Sequence, residues 1–309
     1  MKLIPSFEIE DKEDQDEIVM VWDTTYNITV FDYRTNKITK EAVNNIPNNQ
    51  FLENNRFLNI PHRVFVSGGL YNNNCTSLFF VIERKSNKIR RLHSMPVAVT
   101  RHSLIYLKVD TILLAGGTGN KGCFNYFIQS DKWEKVNSLN YEREDGSLFC
   151  FNEMLFIFGG RLNLKPNLIN TVIEYTYIDD RKKTHWNIID LSVNVPEDNL
   201  LFLLRISGSG IIIPEVSSNK IFICGGYNNE SMEEANYVYE LIIHEDKNQS
   251  RFCELNKRTD LHLIYPSWFC EAIFSCDRKK YYNYDIDGNL HSFSLNMEKF
   301  FFEKYDYEI

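Results

Sequence analysis

Ile112-Leu113-Leu114-Ala115-Gly116-Gly117 is a short apolar run that ends in paired glycines. The arrangement recurs three times, as Val64-Phe65-Val66-Ser67-Gly68-Gly69, Leu155-Phe156-Ile157-Phe158-Gly159-Gly160 and Ile221-Phe222-Ile223-Cys224-Gly225-Gly226. Eight of the chain's 14 glycines stand in these four doublets, so glycine is placed rather than scattered. A run of this length with no polar alternation suits a strand covered on both faces. The doublet after it supplies positive φ and close backbone approach, which a Cβ would obstruct.

Working outward from the second doublet, the unit reads as four strands. His102 to Lys108 is a first strand, Thr111 to Ala115 a second, Cys123 to Gln129 a third and Trp133 to Val136 a fourth. Asp110 and Ser130-Asp131-Lys132 mark the turns between them. The unit before it reads as Phe57-Ile60, Arg63-Val66, Ser77-Arg84 and Lys88-Leu92. The unit after it reads as Ser147-Phe151, Met154-Phe158, Asn170-Ile178 and His185-Asp190. The next reads as Leu200-Ile206, Lys220-Cys224, Asn236-His244 and Arg251-Leu255, with a loop over Ser207-Asn219. Flanking units without a doublet keep the rhythm, over Ile18-Val43 at one end and Ser267-Lys304 at the other. That makes six units of about 50 residues each, the period of a β-propeller blade.

Composition bounds the function. Hydrophobic content of 43% with 14% aromatic residues is that of a globular chain. A net charge of −8 opposes general binding of nucleic acid or an anionic membrane, since phosphate neutralisation needs clustered Lys and Arg. No apolar run approaches the roughly 18 residues of a membrane helix. The N-terminal residues have no signal-peptide core. Seven cysteines, with no C-x-x-C pair, read as reduced thiols in a cytoplasmic protein.

Several residues per unit resemble the kelch-repeat family of β-propellers. The glycine pair follows the second strand. A polar-aromatic third strand ends near Phe79, Tyr126, Tyr175 or Tyr239. A large apolar residue stands in the fourth strand, at Trp133, Trp186 and, by position, Phe252. Met95-Pro96-x4-Arg101-His102-Ser103 resembles the lead into a kelch first strand, and Arg143-x2-Gly146-Ser147 echoes it. The resemblance implies an all-β fold: one kelch-type propeller over residues 1–309 with six four-stranded blades, glycines 68, 69, 116, 117, 159, 160, 225 and 226 being structural. Ser6-Ile9 or Tyr305-Ile309 would complete the ring. It also implies a protein-interaction module or scaffold without a cofactor, binding a partner protein, cytoskeletal or a ubiquitin-ligase subunit, through rim loops. Arg101, Arg143 and Arg161 are the candidate partner contacts, since arginine is enriched where interfaces concentrate their energy. The alternatives are a substrate receptor acting through a separate ligase chain, and a propeller enzyme similar to galactose oxidase.

The remaining motifs argue for little chemistry. The acidic run from Glu8 to Glu17 lacks the glycine and ligand spacing of an EF-hand and reads as a solvated loop. Seven histidines are spread singly, with no His-x-His or His-x3-His pair to suggest a metal. Arg84, Lys85, Lys88, Arg90 and Arg91 crowd one hairpin, which reads as an outer blade edge guarded by charge. No G-x-S-x-G element, P-loop or zinc-protease helix is present.

Overall fold

The computed structural model describes residues 54–160 apart from 61, 85, 87, 109, 152 and 153. Outside that stretch it describes 17–20, 27–32, 37–42, 172–178, 185–190, 206–207, 211–215, 220–224, 227–228, 233–234, 237–245, 251–262, 273–274, 281–284, 290–296 and 299–305. Among these residues there is no helix.

Six of the eight antiparallel sheets among the described residues follow one another in chain order, and the other two are small. The first has three strands, Glu17–Met20, Asn27–Asp32 and Lys37–Ala42. The second comprises Arg56–Ile60, Arg63–Ser67, Phe79–Glu83 and Lys88–Arg91. The third comprises Ser103–Lys108, Thr111–Ala115, Cys123–Phe127 and Lys132–Val136. The fourth comprises Ser147–Phe151, Met154–Phe158, Val172–Tyr177 and Asn187–Asp190. The fifth comprises Ile211–Glu215, Lys220–Cys224, Tyr237–Glu245 and Arg251–His262. The sixth comprises Ile273–Phe274, Tyr281–Tyr284, Leu290–Asn296 and Lys299–Tyr305. Within each four-stranded sheet the strands lie in sequence order, each antiparallel to the next.

The apolar second strands explain the stacking. Side chains alternate between the two faces of a strand. Ile112 and Leu114 join Phe65, Phe79, Val81, Leu104 and Tyr126 in a core between the second and third sheets. Leu113 and Ala115, from the same strand, join Leu155, Ile157 and Trp186 in a core between the third and fourth. A further core, including Phe149, Phe156, Ile173, Ile221 and Tyr239, lies between the fourth and fifth. A strand sandwiched on both sides must be apolar at every position, which is why Thr111–Ala115 shows no alternation. Burying each Ile or Leu stabilises by about 1.5–3 kcal/mol. The first strands of the second to fifth sheets contact one another in turn, so they surround the common axis. The chain is an all-β propeller with its first strands innermost.

One strand differs from the sequence reading. The first strand of the fifth sheet is Ile211–Glu215, not Leu200–Ile206. It pairs with Lys220–Cys224, from Ile211 opposite Cys224 to Glu215 opposite Lys220. Pro214 and the nearby Gly208 and Gly210 signal a turn in sequence. An innermost strand is a sheet edge, however, and an edge tolerates a residue that lacks an N–H. Ile206–Ser207 instead joins a small sheet with Tyr227–Asn228 and Glu233–Glu234. Residues 6–9, 8–16 and 306–309, invoked above for ring closure or as an acidic loop, lie outside the described residues.

Candidate functional site

The glycine doublets dock on the linkers that lead into the next sheet. The Gly69 amide donates to the Val99 carbonyl at 3.1 Å, and the Gly117 amide donates to the Arg143 carbonyl at 2.8 Å. Gly68, Gly116 and Gly160 all have positive φ, 61°, 70° and 94°. A Cβ on each would drive into a linker carbonyl, of Val99, Arg143 and Glu144 respectively. The doublets are therefore the points where one sheet grips its successor. The placement of Gly225 and Gly226 lies outside the described residues.

These linkers converge on one mouth of the axis. Asn54, Arg101 and Asp145 each stand two residues before a first strand, and each adopts positive φ, 54°, 55° and 52°. The Arg101 amide donates to the Asn54 carbonyl at 3.4 Å, and the Asp145 amide to the Arg101 carbonyl at 2.8 Å. Charged side chains interlock over this backbone chain. Arg56 donates through Nη2 to Asp145 Oδ1 at 2.9 Å and through Nε to the His102 carbonyl at 2.7 Å. Arg101 lies 3.4 Å from Asp145 Oδ2 and 4.0 Å from Glu144. Burial raises the Asp145 pKa, and Arg56 and Arg101 oppose that rise. His102 is fully buried with its Nε2 2.6 Å from Ser67 Oγ. Burial, aided by the Arg56 charge, lowers its pKa to about 3, so it is neutral near pH 7.

The predicted arginines separate here. Arg101 is at the mouth with 28% of its side chain exposed. Arg143 is fully buried. Its Nη1 donates to the Gly159 carbonyl at 2.6 Å, and its Nη2 donates to the Val172 carbonyl and Glu174 Oε1 at 3.2 Å each. Glu174 Oε2 also accepts from the Asn140 amide at 2.5 Å. Arg143 therefore bolts the linker to the fourth sheet and offers no guanidinium to a partner. The two arginines do not occupy equivalent positions either. Arg143 stands where Val99 stands in the preceding linker, and the counterpart of Arg101 is Asp145. Arg161 lies outside the described residues.

The same end of the molecule carries a feature the sequence reading passed over. Leu70–Tyr71 and Asn74–Cys75 form a tight hairpin. Asn72 and Asn73 both have positive φ, 48° and 61°, as a two-residue type I′ turn requires. The asparagine pair was the signal in the sequence. The hairpin holds Tyr71 out at 42% exposure. Its base is fastened to the linker, the Thr76 amide donating to Gly69 and the Val99 amide to Thr76. Pro96 and Ala98 of that linker are exposed beside it. Tyr71 and Arg101 thus lie on one face with a rigid backbone beneath them.

The reactive groups elsewhere are quiet. The Cys123 thiol is buried and its pKa is pushed up to about 12 by that burial. Cys75, Cys123 and Cys150 are thiols and not disulfides. Among the described residues no group of three or more His, Cys, Asp and Glu side chains is arranged to hold a metal ion.

No family model matches the chain. Beta-scruin of Limulus polyphemus is 26% identical over 172 residues, which is 54% of this chain and 17% of that protein's length. The solved structure of YjhT superposes with a TM-score of 0.68 over 94% of this chain and 95% of its own, at 11% identity, a likeness of fold. Sheets stacked about an axis and the likeness to YjhT make the fold of the chain a β-propeller, and about half of its sequence is similar to part of beta-scruin.

Proposed function

We propose that the chain, as a single propeller over residues 1–309, is a non-enzymatic protein-interaction module of the cytoplasm. Its partner is a protein bound over the face that carries Tyr71 and Arg101. The observation that carries this reading is the exposed Tyr71 on a pinned hairpin. Tyrosine and arginine are enriched among the few residues that carry most of an interface's binding energy, and a rigid support lowers the cost of ordering them. The buried, hydrogen-bonded interior beneath that face lets the loops vary without loss of the core.

The test is affinity purification with quantitative mass spectrometry, using the wild-type chain and a Tyr71→Ala/Arg101→Ala variant. Partners recovered with the wild type should fall at least tenfold with the variant, because two such contacts are each worth about 1–2 kcal/mol or more. Unchanged recovery of every partner would remove this face from consideration. Arg143→Ala is not a substitute, since it would act through the fold.

A further inference from the structure

We propose that Ser86 is a phosphorylation site for a basophilic, arginine-directed protein kinase. Ser86 is exposed in the loop between the third and fourth strands of the second sheet. Glu83 pairs with Lys88 to close that hairpin, and the Ser86 amide donates to the Glu83 carbonyl at 3.2 Å. The hydroxyl therefore sits at a loop tip on the outer edge of the propeller, away from the Tyr71 face. Loop tips of this kind are where modifying enzymes gain access to a folded chain.

The surroundings fix the class of enzyme. Arg84 precedes the serine by two residues, and Lys88, Arg90 and Arg91 follow it, all three exposed. Positive charge exceeds negative there. Arg63 and Arg90 share the single carboxylate of Glu83, at 3.2 and 3.9 Å. Lys88 stands opposite Glu83 in register, yet among the described residues neither it nor Arg91 makes an ion pair. On a chain with net charge −8, such a patch repels dense polyanions less than the rest of the surface does, but the whole molecule still opposes them. The surface that fits it is a compact acidic cleft, which kinases use to select substrates by charge pattern.

The reaction is balanced by ATP. Ser86 Oγ attacks the γ-phosphorus, the Oγ–P bond forms, and the bond from phosphorus to the β,γ-bridging oxygen breaks. ADP leaves, and the hydroxyl proton passes to the kinase's base. The product carries nearly two negative charges at neutral pH beside Lys88 and Arg90. Charge-assisted hydrogen bonds to those cations would then replace an excess of positive charge with a neutral edge.

The experiment incubates the folded, full chain with ATP and the catalytic subunit of a basophilic kinase, with an acidophilic kinase in parallel. Fragment-ion mass spectrometry locates the phosphate. The expected result is about one phosphate per chain, on Ser86, from the basophilic enzyme alone, absent from Ser86→Ala. Arg84→Ala/Lys88→Ala/Arg90→Ala should lower the initial rate at least tenfold. If that variant does not fold, Lys88→Ala/Arg90→Ala, at two exposed positions, replaces it with the same expectation. Phosphate elsewhere, equal labelling by the acidophilic kinase, labelling only after denaturation, or an unchanged rate in the charge variant would each overturn the assignment. None of these outcomes bears on Tyr71 and Arg101.

Discussion

Single residues separate backbone geometry from packing in this chain. Gly116 and Gly119 both have positive φ, 70° and 64°. A Cβ on Gly116 would meet the Arg143 carbonyl, whereas one on Gly119 would meet nothing. Gly119→Ala should therefore cost about 1 kcal/mol, from φ alone. Gly116→Ala adds displacement of the linker and should cost about 3 kcal/mol or more. Urea unfolding of the two variants checks the ordering. Equal losses would mean the doublet is set by φ and not by the grip on the next sheet.

His102 gives a residue its own pH dependence. Its folded-state pKa lies near 3, below the ordinary 6.5, because burial disfavours the imidazolium. The unfolded chain therefore takes up a proton that the folded chain refuses. Stability from this group is complete above pH 6.5 and is lost as pH falls from 6.5 toward 3. Between pH 6.5 and 5.5 few carboxylates titrate, so the slope there reports on histidine. Thermal melts of the wild type should show a falling midpoint across that window. His102→Gln should lie lower at pH 7 and show a shallower slope. An equal slope in the two proteins would place the effect on other histidines.

At the scale of elements, the outer strands are tied to the linkers by tryptophan. Trp133 Nε1 donates to the His93 carbonyl at 3.0 Å, and Trp186 Nε1 donates to the Asn137 carbonyl at 2.9 Å. Trp133, in a fourth strand, and Trp186, one residue before the next sheet's fourth strand, thus each hold the segment that leaves the preceding fourth strand. Trp133 also packs on Phe79 and Tyr126, with ring centroids 5.1 and 4.9 Å apart. Trp186→Phe keeps most of the buried ring and removes the indole donor to the Asn137 carbonyl. It should cost about 1–3 kcal/mol in denaturant unfolding. A change within error would show that the ring, not the indole N–H, ties strand to linker. The tryptophans stood out in sequence as large fourth-strand residues, but their partners did not, because the carbonyls belong to another sheet. The strand at Ile211–Glu215 was missed for a related reason: Pro214 breaks a central strand but not an edge, and only the sheet order shows which it is.

At the scale of the whole molecule, the amino-acid sequence by itself determined the repeat. Doublets after apolar runs demand a second strand covered on both sides, and that demand is met only by stacking sheets on one another. Such local regularities survive translation along the chain, so they can be read without coordinates. The candidate site was decided by tertiary structure alone. Arg101 and Arg143 look alike in sequence, each near the start of a first strand, yet one faces solvent at the axis mouth and the other is sealed against Glu174. Likewise Arg56 and Asp145 meet although 89 residues separate them. Exposure and ion pairing depend on which linker carbonyl a doublet grips and on how successive sheets close over the axis. Those are distances between segments remote in the chain, and the order of residues does not encode them singly.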